Sequence, residues 1–217
     1  MKKVLEAWGS EVLNQIVEVS IDLSGNYKGL VQKMLPNADI VADRFHVMKP
    51  VNQELNAARN AVIKANELPP NSAEKERVKA ALKNSKYALL NPEDTLTQKQ
   101  QLKLEEVKEV SPLLANMHKQ KSAFRAIFET APNWTDGTLK LLDWLAEARE
   151  NFQNSVGTIC RWFGEVVGYF EQRTTSGAVE GINNKLKLIK KSGYGFRNFD
   201  NFQLRCLICW HLDINSA

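Results

Sequence analysis

Three acidic residues stand where a pair of divalent cations could use them. Asp22 closes the β-branched run Ile16-Val17-Glu18-Val19-Ser20-Ile21, and Asp43 closes the shorter run Ala38-Asp39-Ile40-Val41-Ala42. Glu180 lies far downstream, at the front of a row of amides and cations. Carboxylates at the ends of neighbouring parallel strands, joined by a third from a distant helix, suit Mg2+, because hard cations take oxygen ligands. Two such ions about 3.5 to 4 Å apart activate an attacking oxygen and stabilise a leaving one during in-line displacement at phosphorus. That reaction asks mostly for positioning and charge neutralisation. The competing reading for any single aspartate at a strand end is a turn or a helix cap.

The tetrad Asp43-Arg44-Phe45-His46 places a carboxylate and an imidazole three residues apart, where they could share a cation. Alone it is a weak signal, since a histidine hydrogen-bonded within the fold explains it equally. Cys206, Cys209 and His211 offer sulfur and imidazole, but no second ligand pair sits at finger-like spacing, so a thiol pair in an apolar helix is the simpler account. Nucleophile elbows of the G-x-S-x-G type and Gly-rich phosphate loops are absent, which removes support for hydrolase and nucleotide-binding readings.

The elements that would position the acids can be read from periodicity. Val4, Leu5, Trp8, Val12 and Ile16 recur at helical spacing over residues 2 to 15, and the pattern then changes to the β-branched run that ends on Asp22. Ser24-Gly25-Asn26 makes a turn, residues 27 to 35 read as a short helix stopped by Pro36-Asn37, and a second apolar run ends on Asp43. Strand, helix, strand at this spacing predicts a right-handed crossover with parallel strands. Both aspartates then lie at the carboxyl edge of the sheet, where open α/β sheets place their ligands.

From Val47 to about Gln172 the sequence reads as helices punctuated at Pro69-Pro70, Asn91-Pro92, Ser111-Pro112 and Ala131-Pro132. Thr95 and Gln98 have the spacing of a capping box, Pro112 suits a first helical position, and Ile159, Phe163, Val166 and Phe170 form one apolar stripe. Phe124, Phe128, Trp134, Trp144 and Trp162 could stack on bases, but aromatics at helical spacing are usually core.

A last helix is expected from near Ser176 to the break at Gly193-Tyr194-Gly195, with Val179, Ile182, Leu186 and Ile189 on its packing face. A second stripe carries Glu180, Asn183, Asn184, Lys187 and Lys191. Between Lys185 and Arg205 there are six basic residues, Lys185, Lys187, Lys190, Lys191, Arg197 and Arg205, against the single acid Asp200. The net charge of +4 over 217 residues is mild, so it is this local concentration that suggests phosphate contacts. A solvated face is the alternative.

With 43% hydrophobic and 25% charged residues the chain is ordinary for a folded soluble protein, which argues against disorder. Three cysteines in apolar contexts do not make a disulfide framework, so a reducing compartment fits. The opening MKKVLEAWGS continues into Glu11 without an apolar run, so no secretion signal is expected, and no stretch of about 18 apolar residues occurs.

The order Asp22, then Asp43-Arg44-Phe45-His46-Val47, then a long helical stretch, then Val-Glu180-Gly-Ile-Asn-Asn-Lys with the following KKSGYGFRNF, resembles the bacterial insertion-sequence transposases of the DDE type. Matching residues include Tyr27, Pro36-Asn37-Ala38, Arg59 and much of the segment from Ser176 to Arg205, so the likeness spans nearly the whole chain. What it implies is an α-rich α/β chain with a partial ribonuclease-H-like fold and a large all-helical insertion. Residues 1–50 would carry the last two strands of the sheet, 51–172 the insertion, and 173–217 the returning catalytic helix with its basic face and a carboxyl-terminal helix.

The same resemblance assigns roles. Asp22 matches the second catalytic aspartate and Glu180 the third acid, with Mg2+ or Mn2+ held by Asp22 and Glu180. Asp43 and His46 match a (C/D)-x-x-H motif that supports the site, which revises the simpler reading of Asp22 and Asp43 as the first two acids. Lys185, Lys187, Lys190, Lys191 and Arg197 are the expected DNA contacts. The first acid has no counterpart before Asp22, so the chain is expected to be a carboxyl-terminal fragment that does not complete the triad by itself. The implied function is DNA cleavage and strand transfer at element ends, with a non-catalytic DNA-binding remnant as the alternative. DNA is the implied partner, homo-oligomers are compatible, neither membrane nor small-molecule substrate is expected, and the location is the cytoplasm at the nucleoid.

Overall fold

The computed structural model describes residues 2–65, 73–173, 177–193, 201–202, 204–206 and 208–209, with backbone alone for 172 and 177–183. Two units result, Met1–Thr174 and Thr175–Ala217, and each is taken by itself.

The first unit opens with α1 (Lys2–Leu13), whose continuity is interrupted at Gly9, where φ of +78° is a conformation that side chains resist. β1 (Glu18–Ile21), α2 (Gly25–Met34) and β2 (Asp39–Ala42) follow, and the strands pair in parallel with Glu18 opposite Asp39 and Ile21 opposite Ala42. The expected crossover is therefore present. Val19, Ile21 and Ile40 pack with Leu13, Val31 and Leu35 in a small apolar cluster shared by strands and the first two helices. Among the described residues these are the only strands.

β2 runs directly into α3 (Arg44–Ala65), which absorbs Pro50 in its second turn. Then come α4 (Ala73–Leu82), α5 (Lys86–Leu90), a 3-10 turn (Glu93–Thr95), α6 (Gln98–Val110), α7 (Pro112–Thr130), α8 (Trp134–Glu147), α9 (Gln153–Arg161) and α10 (Phe163–Gln172). Their larger core runs from Ala42 and Val47 through Leu55, Leu114 and Phe124 to Val166 and Phe170. Strand β2 and the helices thus share one apolar interior. At Gly168 of α10 the helix comes close to β2, and an added Cβ would lie 3.1 Å from the Val41 side chain.

Three local expectations shift. The capping box is formed by Thr97 and Gln100, not Thr95 and Gln98: the Gln100 amide donates to Thr97 Oγ1 at 3.3 Å and the Thr97 amide to Gln100 Oε1 at 2.9 Å. Thr95 is taken up by the preceding 3-10 turn, where its hydroxyl donates to the Pro92 carbonyl. The stripe Ile159 to Phe170 is split between α9 and α10 at Trp162, which bends the chain out of helical geometry. Trp134 is exposed, whereas Phe124, Phe128 and Trp144 are buried core as expected. Pro112 does occupy the first turn of α7, capped by Ser111.

Polar braces join distant helices. The Glu54 carboxylate accepts from the amides of Asn154 at 3.1 Å and Ser155 at 2.9 Å and from the Ser155 hydroxyl at 2.7 Å, so α3 caps the start of α9. The ammonium of Lys121, itself buried, donates to the carbonyls of Leu89 at 2.8 Å and Asn91 at 3.0 Å at the end of α5. Burial lowers its pKa to about 8, with Glu93 opposing and Arg125 adding to the shift. One turn earlier, His118 is buried with Nδ1 3.5 Å from Glu93 and Nε2 without a partner among the described residues. Burial, reinforced by Lys121 and Lys108, pushes this imidazole down to about 3, so desolvation outweighs the nearby carboxylate and the ring is neutral.

The second unit contains α11 (Gly177–Ser192), which begins one residue after Ser176 and is followed by a turn at Gly193. Tyr194 and Gly195 lie outside the described residues.

Candidate functional site

Asp22 and Asp43 each follow the last residue of a strand, and the Asp43 amide donates to the Ile21 carbonyl at 2.7 Å. The ladder therefore holds to the carboxyl edge, and both acids leave it side by side. Lys28 of α2 pairs with Glu165 of α10, and its ammonium stands 5.3 Å from the centre of the Trp162 ring, which clamps the helices flanking this small sheet.

The two acids have different surroundings. Asp43 is buried and is the residue before α3: its Oδ1 accepts from the His46 amide at 3.2 Å and lies 3.0 Å from His46 Nδ1. It is both helix cap and imidazole tether, so the tetrad is tied together by its own ends. Arg44 points elsewhere, donating to Glu129 of α7 at 2.7 Å. Burial raises the Glu129 carboxyl, but the hydrogen bonds from Arg44 and Arg125 outweigh it and hold the group below its ordinary value.

Asp22 has no such duties. Its Oδ1 is buried without a hydrogen-bond partner among the described residues, as are Glu18 Oε1 and Ser20 Oγ. Alternate residues of a strand share a face, so these three oxygens form a row along one side of β1, opposite Val19 and Ile21. An unsatisfied buried acceptor costs about 1–3 kcal/mol. Three in a row leave one side of β1 with polar oxygens that the described residues do not pair.

Glu180 lies in the first turn of α11, and its side chain is outside the described residues, as is Arg197. The unbroken helix puts residues 180, 184, 187 and 191 on one line, and Asn184, Lys187 and Lys191 are exposed along it. Lys190 is exposed and Lys185 half-buried. Asp22, Asp43 and His46 belong to the first unit and Glu180 to the second. Among the described residues no three His, Cys, Asp or Glu side chains lie close enough to hold a metal ion, so the strand-edge trio is not a complete cation centre. Asp22 fits one as a hard oxygen donor with an open acceptor. His211, part of the weaker sulfur-imidazole grouping, lies outside the described residues.

A model of the ISL3 DDE transposase family, described as "Transposase", matches residues 1–206. The chain belongs to this family of insertion-sequence transposases. It is 27% identical over 196 residues to the transposase for insertion sequence element IS1001 of Bordetella parapertussis, covering 88% of this chain and 47% of that protein. It is 26% identical over 216 residues to the transposase for element IS1557 of Mycobacterium tuberculosis, covering 89% of this chain and again 47% of the relative. The chain thus spans about half the length of these curated relatives. A 59-residue stretch is 34% identical to a Lactococcus lactis protein named ATP-dependent protease, over 27% of this chain and 19% of that one. No solved structure matches.

Membership places the α-rich α/β architecture and the Asp-x-x-His element in a transposase. Sequence reasoning placed Asp22 and Asp43 at one sheet edge, where they are. It missed Glu54, whose partners are 100 residues away, and the row formed by Glu18 and Ser20, which simple strand alternation after Asp22 could have shown. No described helix is long and apolar enough to cross a membrane.

Proposed function

We propose that this chain carries part of the DNA-processing centre of an insertion-sequence transposase, with Asp22 and Glu180 as two of its three acids. The observation that carries the reading is the orphaned, buried Asp22 oxygen at the carboxyl edge of β1, next to an Asp43 already committed to capping α3. β1 and β2 read as the last strands of a ribonuclease-H-like sheet, and the first acid has no counterpart among residues 1–21.

Mg2+ or Mn2+ held by Asp22 and Glu180 would supply charge neutralisation at the phosphorus and activation of the attacking oxygen. The chain's own residues do the rest. Asp43 fixes the start of α3 and orients His46, which sets the strand edge. The exposed Lys187, Lys190 and Lys191 of α11 contact backbone phosphates and hold DNA without reading its bases. Such contacts fit a chain that works at the nucleoid.

Two measurements on the purified chain test this. Mn2+ titration should show binding that Asp22→Asn and Glu180→Gln each weaken, while Asp22→Asn does not lower the thermal midpoint because that side chain makes no hydrogen bond through its buried oxygen. Binding insensitive to both variants would remove the acids from the centre. Supercoiled plasmid with Mg2+ should be bound in a salt-sensitive way, weakened by Lys187→Ala and Lys191→Ala, but not cut by this chain alone. Metal-dependent cutting that Glu180→Gln abolishes would show that no outside acid is needed. The second reading, DNA binding without any catalysis, is favoured by the exposed lysines of α11 and is selected if DNA binds but Mn2+ does not.

A further inference from the structure

A groove of about 300 Å³ lies between α3 and α5, lined by Phe45, Met48, Lys49, Asn52, Asn56 and Lys86 with neighbours on the same two helices. Phe45, Lys49, Asn52 and Asn56 are spaced by four, three and four residues, so they stand along one face of α3, and Lys86 and Leu90 answer from one face of α5. No acidic residue is among those lining it. The composition is specific in kind: an aromatic ring at the mouth, amides along the wall, and two ammonium groups.

Three details point to one class of occupant. Phe45 is 59% exposed, although it follows a buried strand end, and its ring contact among the described residues is edge-to-face with His46, at 5.6 Å between ring centres. Such a ring offers a free face for stacking. Asn52 Oδ1 is buried and lacks a partner among the described residues, so the wall keeps an acceptor open to an incoming donor. Lys49 and Lys86 give the groove a positive charge, and Lys86 lies 5.6 Å from the exposed Tyr87 ring. A flat heterocycle with an amino group, attached to a phosphate, meets all three requirements.

We propose that this groove binds a single unpaired nucleotide of DNA, with the base stacked on Phe45, its exocyclic amine donating to Asn52 Oδ1, and the adjacent phosphate held by Lys49 and Lys86. Base–aromatic stacking is tolerant of sequence, whereas the Asn acceptor favours the exocyclic amine of adenine, cytosine or guanine over the ring N3–H of thymine, which two carbonyl oxygens flank. Phe45 stands two residues beyond Asp43, so the nucleotide would be drawn out of the duplex beside the strand edge that carries the acids. The proposal rests on the reading of this chain as a DNA-processing protein, but the groove is separate from the acids and can be tested without metal.

The experiment is fluorescence anisotropy in metal-free buffer, with a labelled oligothymidylate carrying one central adenosine, the same strand with thymidine throughout, and a duplex of the first sequence. Wild-type protein should bind the adenosine-bearing single strand severalfold more tightly than the all-thymidine strand. Phe45→Ala should weaken single-strand binding on the order of tenfold, the size of one lost stack, and leave the duplex unchanged. Asn52→Ala should erase the preference for adenosine. Phe45 is exposed and Asn52 half-buried, and circular dichroism confirms that the variants are folded. An 8-azidoadenosine placed at the central position, which keeps the exocyclic amine, should crosslink to Phe45. If Phe45→Ala lowers duplex and single-strand affinity alike, if neither variant changes binding, or if the crosslink falls elsewhere, the groove does not hold a nucleotide. Because Mn2+ binding by Asp22 and Glu180 is read separately, either site can fail without the other.

Discussion

Oδ1 of Asp43 accepts the backbone amide of His46 at 3.2 Å and lies 3.0 Å from Nδ1 of the same residue, so one carboxylate oxygen both caps α3 and holds the imidazole. The arrangement makes Asp43 a structural anchor whose loss is felt through the helix start. Arg44, between them, ties the same turn to Glu129. The Asp-x-x-His spacing is therefore explained by helix-capping geometry without a shared cation.

Replacement of Asp43 separates the two duties. Asp43→Ala removes the cap and the tether and should cost about 1–2 kcal/mol, seen as a drop of a few degrees in the thermal midpoint. Asp43→Asn keeps a good capping side chain and should lose much less. Were Asp43→Asn as damaging as Asp43→Ala, the negative charge and not the cap would be what the fold needs.

Interdigitation of α8 and α10 depends on the absence of a side chain at Gly137. A Cβ there would lie 2.5 Å from Cγ of Phe170, a buried ring held 5.3 Å from Phe128. Gly137→Ala should therefore destabilise the first unit by about 1–3 kcal/mol of overpacking, despite the gain in helix propensity. Gly157 of α9 is the control, because nothing lies within 4 Å of an added Cβ. Gly157→Ala should raise stability by up to about 1 kcal/mol. Chemical denaturation of both variants checks the pair, and equal effects would show that the Phe170 contact relaxes freely.

The parts of the fold legible in the sequence are those set by neighbours along the chain. A β-branched run ending on Asp22, a turn, a short helix and a second run ending on Asp43 leave little choice but a parallel crossover, and that is what forms. Helix starts are nearly as readable, although Thr95 and Thr97 both have glutamine three residues on, and only packing of the 3-10 turn decides that Thr97 is the cap. Bonds between distant segments are not readable. Glu54 caps α9 from a position where its type suggests only a solvated helix face, and the groove at Phe45 exists because α5 lies across α3. The motif around Glu180 is recognisable from its residues, whereas the partner of Asp22 is a question of how elements far apart in sequence meet.

His118 gives the fold a defined response to acid. Its folded pKa is about 3 against an ordinary value of 6.5, with burial the first cause and Lys121 and Lys108 adding to it. Below pH 6.5 the unfolded chain takes up a proton at this ring and the native chain does not, so the unfolded state is favoured progressively as pH falls from 6.5 towards 3. Linkage limits the slope from one such group to about 1.4 kcal/mol per pH unit. Carboxylates titrate in the lower part of the same range, so the comparison must be with a variant that shares them. His118→Gln removes the titration while keeping a polar side chain of similar length. Its stability at pH 7 should be lower than that of the wild type, because a well-packed buried ring is lost, and the difference should shrink steadily between pH 6.5 and pH 4. Denaturant midpoints measured at half-unit intervals give the two curves. Parallel curves would mean that the ring takes up its proton in the native state as readily as in the unfolded one, with Glu93 at 3.5 Å as the group stabilising the charge.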